Sequence, residues 1–146
     1  MMTLSEAARA LNATLLGNDI TFQAVSTDTR TLQPGDLYVA LIGDNFDGHT
    51  FVADAIAKGA SAILISTSLE AAVVPALRVV DTRLALGQLS AAWRARFSIP
   101  VIAVTGSNGK TTTKEMLAAI FGQRGSVLAT QGNLNNEIGV PLTLLR

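Results

Sequence analysis

The sequence predicts a mixed α/β fold in two unequal parts, and three observations carry that expectation. Short apolar runs alternate with amphipathic helical stretches, the pattern of layered α/β architecture. Val101-Ile102-Ala103-Val104 is an apolar run of the kind buried on both faces of a parallel sheet. That run leads through a glycine-containing loop into a further helical stretch. The chain has 146 residues, about one domain's worth, enough for one ordinary core or one small domain and part of another. Lys+Arg and Asp+Glu both count 11, so no basic surplus favours nucleic acid or an anionic membrane as the main partner. The absence of Cys excludes disulfides, thiolate zinc sites and Cys nucleophiles.

Taken in order, Thr3-Leu4-Ser5-Glu6 reads as a capping box, with Leu4, Ala7, Ala8 and Leu11 on one helical face behind it. Glu6 and Arg9 interrupt the apolar content of this stretch, so it is not a signal peptide. No run approaches the roughly 18 apolar residues of a membrane span, and a cytoplasmic protein is the expectation. Thr21 to Val25 alternates like a short strand, and Gln33-Pro34-Gly35-Asp36 is a turn. Leu37 to Ile42 is a candidate buried strand that stops at Gly43. A helix is predicted from near Thr50, burying Phe51, Val52, Ala55 and Ile56, with Gly59 at its C-terminal end. Ala62 to Ile65 and Leu77 to Val80 read as strands. Thr82 to Phe97 reads as a longer helix with Leu86, Leu89, Trp93 and Phe97 on its core face. A helix over Thr111 to Phe121 and a strand over Val127 to Ala129 follow. Leu41, Ile65 and Val104 are expected in the core. A boundary is expected near 81–83, which makes the first part a small complete domain and leaves about 64 residues as the opening of a second.

The sharpest chemical signal is Thr105-Gly106-Ser107-Asn108-Gly109-Lys110-Thr111-Thr112, between a candidate strand and a helix. Glycines let backbone N–H groups turn inward around phosphate oxygens, and the helix N-terminus adds partial positive charge. Lys110 suits the β- and γ-phosphates, and the Thr111 hydroxyl suits Mg²⁺. The strict P-loop pattern has Gly where this chain has Val104. Lys114, one turn later, reads as a solvent-facing helix residue.

This loop resembles the phosphate loop of the Mur ligases, whose form departs from the strict pattern in the same way. Three further segments agree in order and spacing. Ser26-Thr27-Asp28-Thr29-Arg30 with Pro34 to Leu41 is similar to the family's uridine-nucleotide-binding region. Gly43 to His49 is similar to its uracil and pyrophosphate loop. Thr130-Gln131-Gly132-Asn133-Leu134-Asn135-Asn136-Glu137-Ile138-Gly139-Val140-Pro141-Leu142-Thr143 is similar to the D-alanyl-D-alanine-adding branch. The resemblance implies a small N-terminal α/β substrate-binding domain (1–82), then the start of a P-loop-type central ATP-binding domain with a parallel sheet (83–146). It implies an ATP-dependent amide ligase joining D-alanyl-D-alanine to UDP-N-acetylmuramoyl-tripeptide through an acyl phosphate, in peptidoglycan precursor synthesis. ATP and Mg²⁺ are the implied cofactors, and a monomer is expected at full length.

Carried over by position, Gly106, Ser107, Asn108, Gly109, Lys110, Thr111 and Thr112 would hold ATP, with Lys110 and Thr111 closest to the chemistry. Thr111 and Thr130 would approach the metal, although a strand-end cap is an equal reading of Thr130. Thr27, Asp28, Thr29, Asp44, Asn45, Phe46, Asn133, Asn135 and Asn136 would contact the nucleotide-sugar or its peptide. For Arg30 an ion pair with Asp28 or Asp36 is the expected role, and Phe46 is poised between stacking on uracil and core burial. His49, the one histidine, is expected to stabilise its loop by hydrogen bonding. The family's acidic metal ligand, carbamoylated lysine and C-terminal domain have no counterpart in residues 1–146, so no turnover is expected from this chain alone. Two other function classes stay open: an isolated nucleotide-sugar-binding module, and a P-loop kinase or NTPase of unrelated chemistry. The diamino-acid-adding and folylpolyglutamate branches are nearer rivals.

Overall fold

The computed structural model describes residues 1–68, 73–132 and 134–146. Strand β1 (Met2–Thr3) opens into helix α1 (Leu4–Leu11), started by the expected capping box. The Thr3 hydroxyl accepts the Glu6 N–H at 3.2 Å, and the Glu6 carboxylate accepts the Thr3 N–H at 2.9 Å. Strands β2 (Thr14–Leu16), β3 (Thr21–Phe22), β4 (Val25–Ser26) and β5 (Leu37–Val39) follow. A tight hairpin of β6 (Ile42–Gly43) and β7 (Phe46–Asp47) leads through a 3₁₀ turn (Gly48–Phe51) into helix α2 (Val52–Ala57). Strands β8 (Ala62–Ile65) and β9 (Ala76–Arg78) and helix α3 (Thr82–Arg94) complete this part. Helices α4 (Lys110–Gly122) and α5 (Gly139–Leu144) lie in the remainder.

The main sheet has strand order β2-β9-β8-β5-β4, with β4, β5, β8 and β9 parallel and β2 antiparallel at one edge. Alternation along the central strands sorts the core into two layers. Leu37, Val39, Ala62, Leu64 and Leu77 pack with Leu4, Ala7 and Leu11 of α1 and Ala85, Leu86 and Leu89 of α3. Tyr38, Ile63, Ile65 and Ala76 pack on the opposite face with Val52 and Ala55 of α2. The sheet is thus covered on both faces, as the buried apolar runs require. The expected boundary near 81–83 falls at the first turn of α3, whose apolar side chains belong to the first of these layers. Leu145, just past α5, is buried in the same layer.

Several sequence expectations are corrected here. Val101 to Val104 forms no strand among the described residues, and Val101 and Ile102 are 58% and 53% exposed. A strand exists only through hydrogen bonds to a neighbour, and every parallel pairing described lies between residues 25 and 78. Val104 is accordingly half-buried rather than core, and Val127 to Ala129 is likewise unpaired. The strand from Leu37 ends at Val39, because Leu41 turns back to accept the Gly48 N–H at 2.7 Å. Phe51 is exposed rather than buried, and stacks on Phe46 with ring centroids 5.5 Å apart. Helix α3 stops at Arg94, short of Phe97, which is exposed and meets the half-buried Trp93 edge-on at 5.2 Å.

Candidate functional site

The segments that leave β4, β5 and β9, and Ser66 just after β8, lie at the carboxyl ends of parallel strands, the usual place for ligands on such sheets. After β4, Ser26 to Arg30 folds into a self-contained turn. The Ser26 hydroxyl accepts the Asp28 N–H at 3.3 Å and donates to the Asp28 carbonyl at 3.1 Å. The Asp28 carboxylate takes the Arg30 N–H and Nε at 2.9 Å and Nη2 at 2.6 Å, so the pairing expected of Arg30 is made with Asp28. The Arg30 guanidinium holds the Asp28 carboxyl down to about 2. Asp36 instead accepts the Gln33 N–H at 2.9 Å. Helix α2 braces this turn: Lys58 Nζ donates to the Thr29 carbonyl at 3.0 Å, and the nearby Thr29 hydroxyl and Lys58 ammonium hold the Asp54 carboxyl below its ordinary pKa. Thr29 is therefore buried and already engaged, while Thr27 is half-buried.

After β5, the hairpin presents Asp44 and Asn45 at its tip, both exposed. Phe46 is 49% exposed, so of its two expected roles core burial is excluded by position. The hairpin's return is fixed at Gly48, which packs so close to Leu41 that a Cβ there would stand 2.8 Å from Leu41 N and O. The buried Tyr38 hydroxyl donates to the Gly48 carbonyl at 3.0 Å. His49 is the strut expected of it. Its Nε2 accepts the Ser66 N–H at 3.0 Å, and Nδ1 lies 2.7 Å from Asp47 Oδ1. The Ser66 amide can only donate, so the proton sits on Nδ1 and points at Asp47. Hydrogen bonds from His49 also pull the Asp47 pKa down, the backbone N–H most strongly.

The phosphate-loop residues form an open turn before α4. Gly106 and Gly109 have φ of +142° and +74°. Gly109 is the left-handed N-cap of α4, a conformation that a side chain would strain. With no side-chain cap and no acidic residue in the first turn, the leading N–H groups of this 13-residue helix are unclaimed by side chains. Lys110 Nζ rests on the Gly106 carbonyl at 2.6 Å, and Ser107, Asn108, Thr111 and Thr112 are exposed around it. Lys114 departs from expectation. Its side chain is only 16% exposed, and Nζ donates to the Thr130 carbonyl at 2.6 Å and pairs with Glu115 at 2.7 Å. It thereby ties the Thr130 loop to the phosphate helix.

Of the Gly-Asn-Leu-Asn-Asn segment, Asn133 lies outside the described residues and Asn135 is exposed. Asn136 Oδ1 accepts the Gly139 N–H at 2.8 Å and the Ile138 N–H at 3.3 Å, which caps the start of α5. Sequence reading passed over Arg83. Its Nη2 donates to the Ile42 carbonyl at 3.0 Å and its Nη1 stands 3.5 Å from Glu137 Oε1. With Ile42, Ser66, Val80, Asp81 and Thr82 it lines a cleft of about 340 Å³. No local pattern marks it, because its partners lie 41 and 54 residues away. Asp54 and Lys58 were also passed over, although their four-residue spacing on a helix was the available signal.

The chain thus carries an anion-receptive helix start at α4 and a set of polar loops at the ends of a parallel sheet. Residues 21–94 match the Mur ligase family, catalytic domain, and residues 104–146 match the Mur ligase middle domain. The chain belongs to the Mur ligase family. It is 54% identical over 145 residues to the Escherichia coli UDP-N-acetylmuramoyl-tripeptide–D-alanyl-D-alanine ligase, covering 99% of this chain and 32% of that protein. Among solved Mur ligases, the UDP-N-acetylmuramoylalanyl-D-glutamyl-2,6-diaminopimelate–D-alanyl-D-alanyl ligase of Acinetobacter baumannii superposes with a TM-score of 0.88 at 40% identity, over 98% of this chain and 33% of that one. MurF from Thermotoga maritima, solved in complex with ADP, superposes with a TM-score of 0.77 at 35% identity, over 88% and 30%. The chain spans about a third of the length of the curated Mur ligases it matches. No helix among the described residues is long and apolar enough to cross a membrane.

Proposed function

We propose that this chain supplies the nucleotide-sugar-binding unit and the opening of the ATP-binding unit of a ligase. That ligase joins D-alanyl-D-alanine to UDP-N-acetylmuramoyl-tripeptide in the cytoplasm, for peptidoglycan precursor synthesis. The observation that carries the reading is a single Escherichia coli relative of that name aligning over 99% of the chain, through hairpin and phosphate loop alike. Residues 1–94, with α3 packed on the sheet rather than cut off by a boundary near 81–83, are read as the substrate unit and the residues after α3 as the start of the ATP unit, and the full-length protein as a monomer.

A carboxylate is a poor electrophile. Transfer of the γ-phosphoryl group of ATP to the tripeptide's terminal carboxylate supplies a leaving group, and the dipeptide amine then displaces it as phosphate, leaving an amide and ADP. The chain's contribution to this is positioning and charge neutralisation. The N–H groups leading α4 and the loop from Gly106 to Thr112 would cradle the phosphates, and Lys110, which rests on the Gly106 carbonyl, would pair with the outer phosphate oxygens. The open left-handed turn and its exposed hydroxyls fit a magnesium nucleotide, with Thr111 as the ligand this helix offers and Thr130 approaching from the loop that Lys114 anchors. Bound Mg²⁺ would offset charge building on the phosphates. Asp44, Asn45 and Phe46 face the uridine end, Phe46 by stacking, while Thr27 and Asn135 offer polar contacts. Asp28, Thr29 and Asn136 act chiefly by shaping the turns they stabilise.

The test is phosphate release by the full-length enzyme. Release is expected only with ATP, UDP-N-acetylmuramoyl-tripeptide and D-alanyl-D-alanine together, and none from the 146-residue chain. Equal release without the nucleotide-sugar would favour an unrelated NTPase and sink the reading. Calorimetric titration of the 146-residue chain with UDP-N-acetylmuramoyl-tripeptide, without ATP, then asks whether the first unit binds alone. Saturable heat that Phe46→Ala weakens is the expected result.

A further inference from the structure

We propose that Arg83 is a positioning residue that sets the hairpin carrying Asp44, Asn45 and Phe46 against the segment carrying Asn135 and Asn136, so that both meet one nucleoside-diphosphate sugar. The inference rests on the ligase reading above and adds to it a residue that touches neither reacting group.

The guanidinium of Arg83 is a planar fork of donors, and here its two arms serve different segments. Nη2 donates to the carbonyl of Ile42, which pairs with Asp47 at the root of the hairpin. Nη1 stands 3.5 Å from the carboxylate of Glu137, the residue after Asn136. The ion pair is half exposed and by itself contributes little. One rigid group nevertheless engages two segments that bear candidate substrate contacts, with the cleft of about 340 Å³ at its side. The start of α3 does not depend on this side chain. The Asp81 carboxylate accepts the backbone N–H groups of Arg83 and Leu84 at 2.8 and 3.0 Å. The buried Thr82 hydroxyl donates to the Ala40 carbonyl at 2.8 Å, pinning the helix to the exit of β5. Those two neighbours hold the fold, which leaves Arg83 to hold the outer segments. Lysine, a point charge on a flexible stem, can reach one partner at a time.

The experiment measures kcat, separate KM values for UDP-N-acetylmuramoyl-tripeptide and ATP, and Tm in the full-length enzyme, its Arg83→Ala, Arg83→Lys and Glu137→Gln forms, and the double variant combining Arg83→Ala with Glu137→Gln. Arg83→Ala is expected to raise KM for the nucleotide-sugar about five- to tenfold, with kcat and the KM for ATP within about twofold. Arg83→Lys recovers part of that rise, Glu137→Gln gives about a twofold rise, and the double variant is no worse than Arg83→Ala alone. An unchanged KM overturns the proposal. So does a fall in every parameter that tracks a lowered Tm, since that is a purely structural role. If Arg83→Ala does not fold, Arg83→Lys decides: a selective KM rise sustains the proposal, and wild-type constants overturn it. An unaltered enzyme lacking the ligase activity removes the functional reading and this inference together, whereas an active one matched by its variants removes the inference alone.

Discussion

The same substitution, glycine to alanine, should have opposite signs at Gly48 and Gly87, and the reason is visible in what a new methyl group would touch. At Gly48 a Cβ would lie 2.8 Å from Leu41 N and from Leu41 O, and 3.0 Å from the Ala40 carbonyl carbon. All three are backbone atoms of a buried segment, so no side-chain rotation relieves the contact. Moving the turn outward stretches the Gly48 N–H bond to Leu41 O, now 2.7 Å, and the Tyr38 hydroxyl bond to Gly48 O, now 3.0 Å. An unmet buried polar group costs about 1–3 kcal/mol, so losing one bond and weakening the other costs about 2–4 kcal/mol. At Gly87, inside α3, a Cβ meets nothing within 4 Å. Alanine there should stabilise by about 0.5–1 kcal/mol through helix propensity alone. Urea titration of the 146-residue chain, followed by the fluorescence of its single tryptophan, Trp93, reads both variants. That side chain packs against the core layer shared by α1 and α3, so it reports unfolding of the sheet unit. A Gly48→Ala protein within about 0.5 kcal/mol of the parent would refute the close-approach argument, as would a Gly87→Ala protein that lost stability.

Other outcomes follow from the same geometry. Lys110→Ala in the full-length enzyme should lower ATP-dependent turnover roughly a hundredfold or more while leaving Tm unchanged; turnover within a few-fold of the parent would remove Lys110 from the phosphate site. The Asp28 carboxyl should titrate near 2 by NMR against its ordinary 3.8, and return toward 3.8 in Arg30→Ala. Because the folded-state value is the lower one, the stability it contributes is present above about pH 4 and fades as pH falls toward 2; solvent screening keeps it under about 1 kcal/mol. Asn136→Ala should cost roughly 1 kcal/mol by removing the cap of α5, and Asn136→Asp should restore it; equal stability of all three proteins would show that the cap contributes nothing.

How far the sequence could be read depended on the range of the interaction. The capping box at Thr3 and Glu6, the turn at Gln33 to Asp36 and the buried runs at Leu37 and Ala62 are set by neighbours a few residues away, and they were legible. So was the pairing of Arg30 with Asp28, two residues apart. The run Val101 to Val104 has the composition of a strand, but a strand is completed by a partner, and composition does not supply one. Lys114 has the sequence setting of an ordinary surface residue of a helix, because its partner, the Thr130 carbonyl, lies 16 residues on. Arg83 is the extreme case, since both its partners lie far along the chain. In the candidate site, the polar residue types were easy to find, but their division of labour was not. Thr29 and Asn136 have the chemistry of ligand contacts, yet the first is buried with its carbonyl held by Lys58, and the second caps the amides at the start of α5.

Helix α4 buries none of its side chains, and Met116, Ile120 and Phe121 stand open to water along with Val101 and Ile102. The formal net charge of the chain is zero and its isoelectric point is about 6.6. Near neutral pH its molecules therefore carry greasy surface with almost no mutual repulsion, the combination that favours colloidal attraction. Turbidity and dye uptake should rise with concentration around pH 6.6 and fall in alkaline, low-salt buffer. For anyone purifying this polypeptide, a buffer well away from pH 6.6 is the direct lever on that attraction.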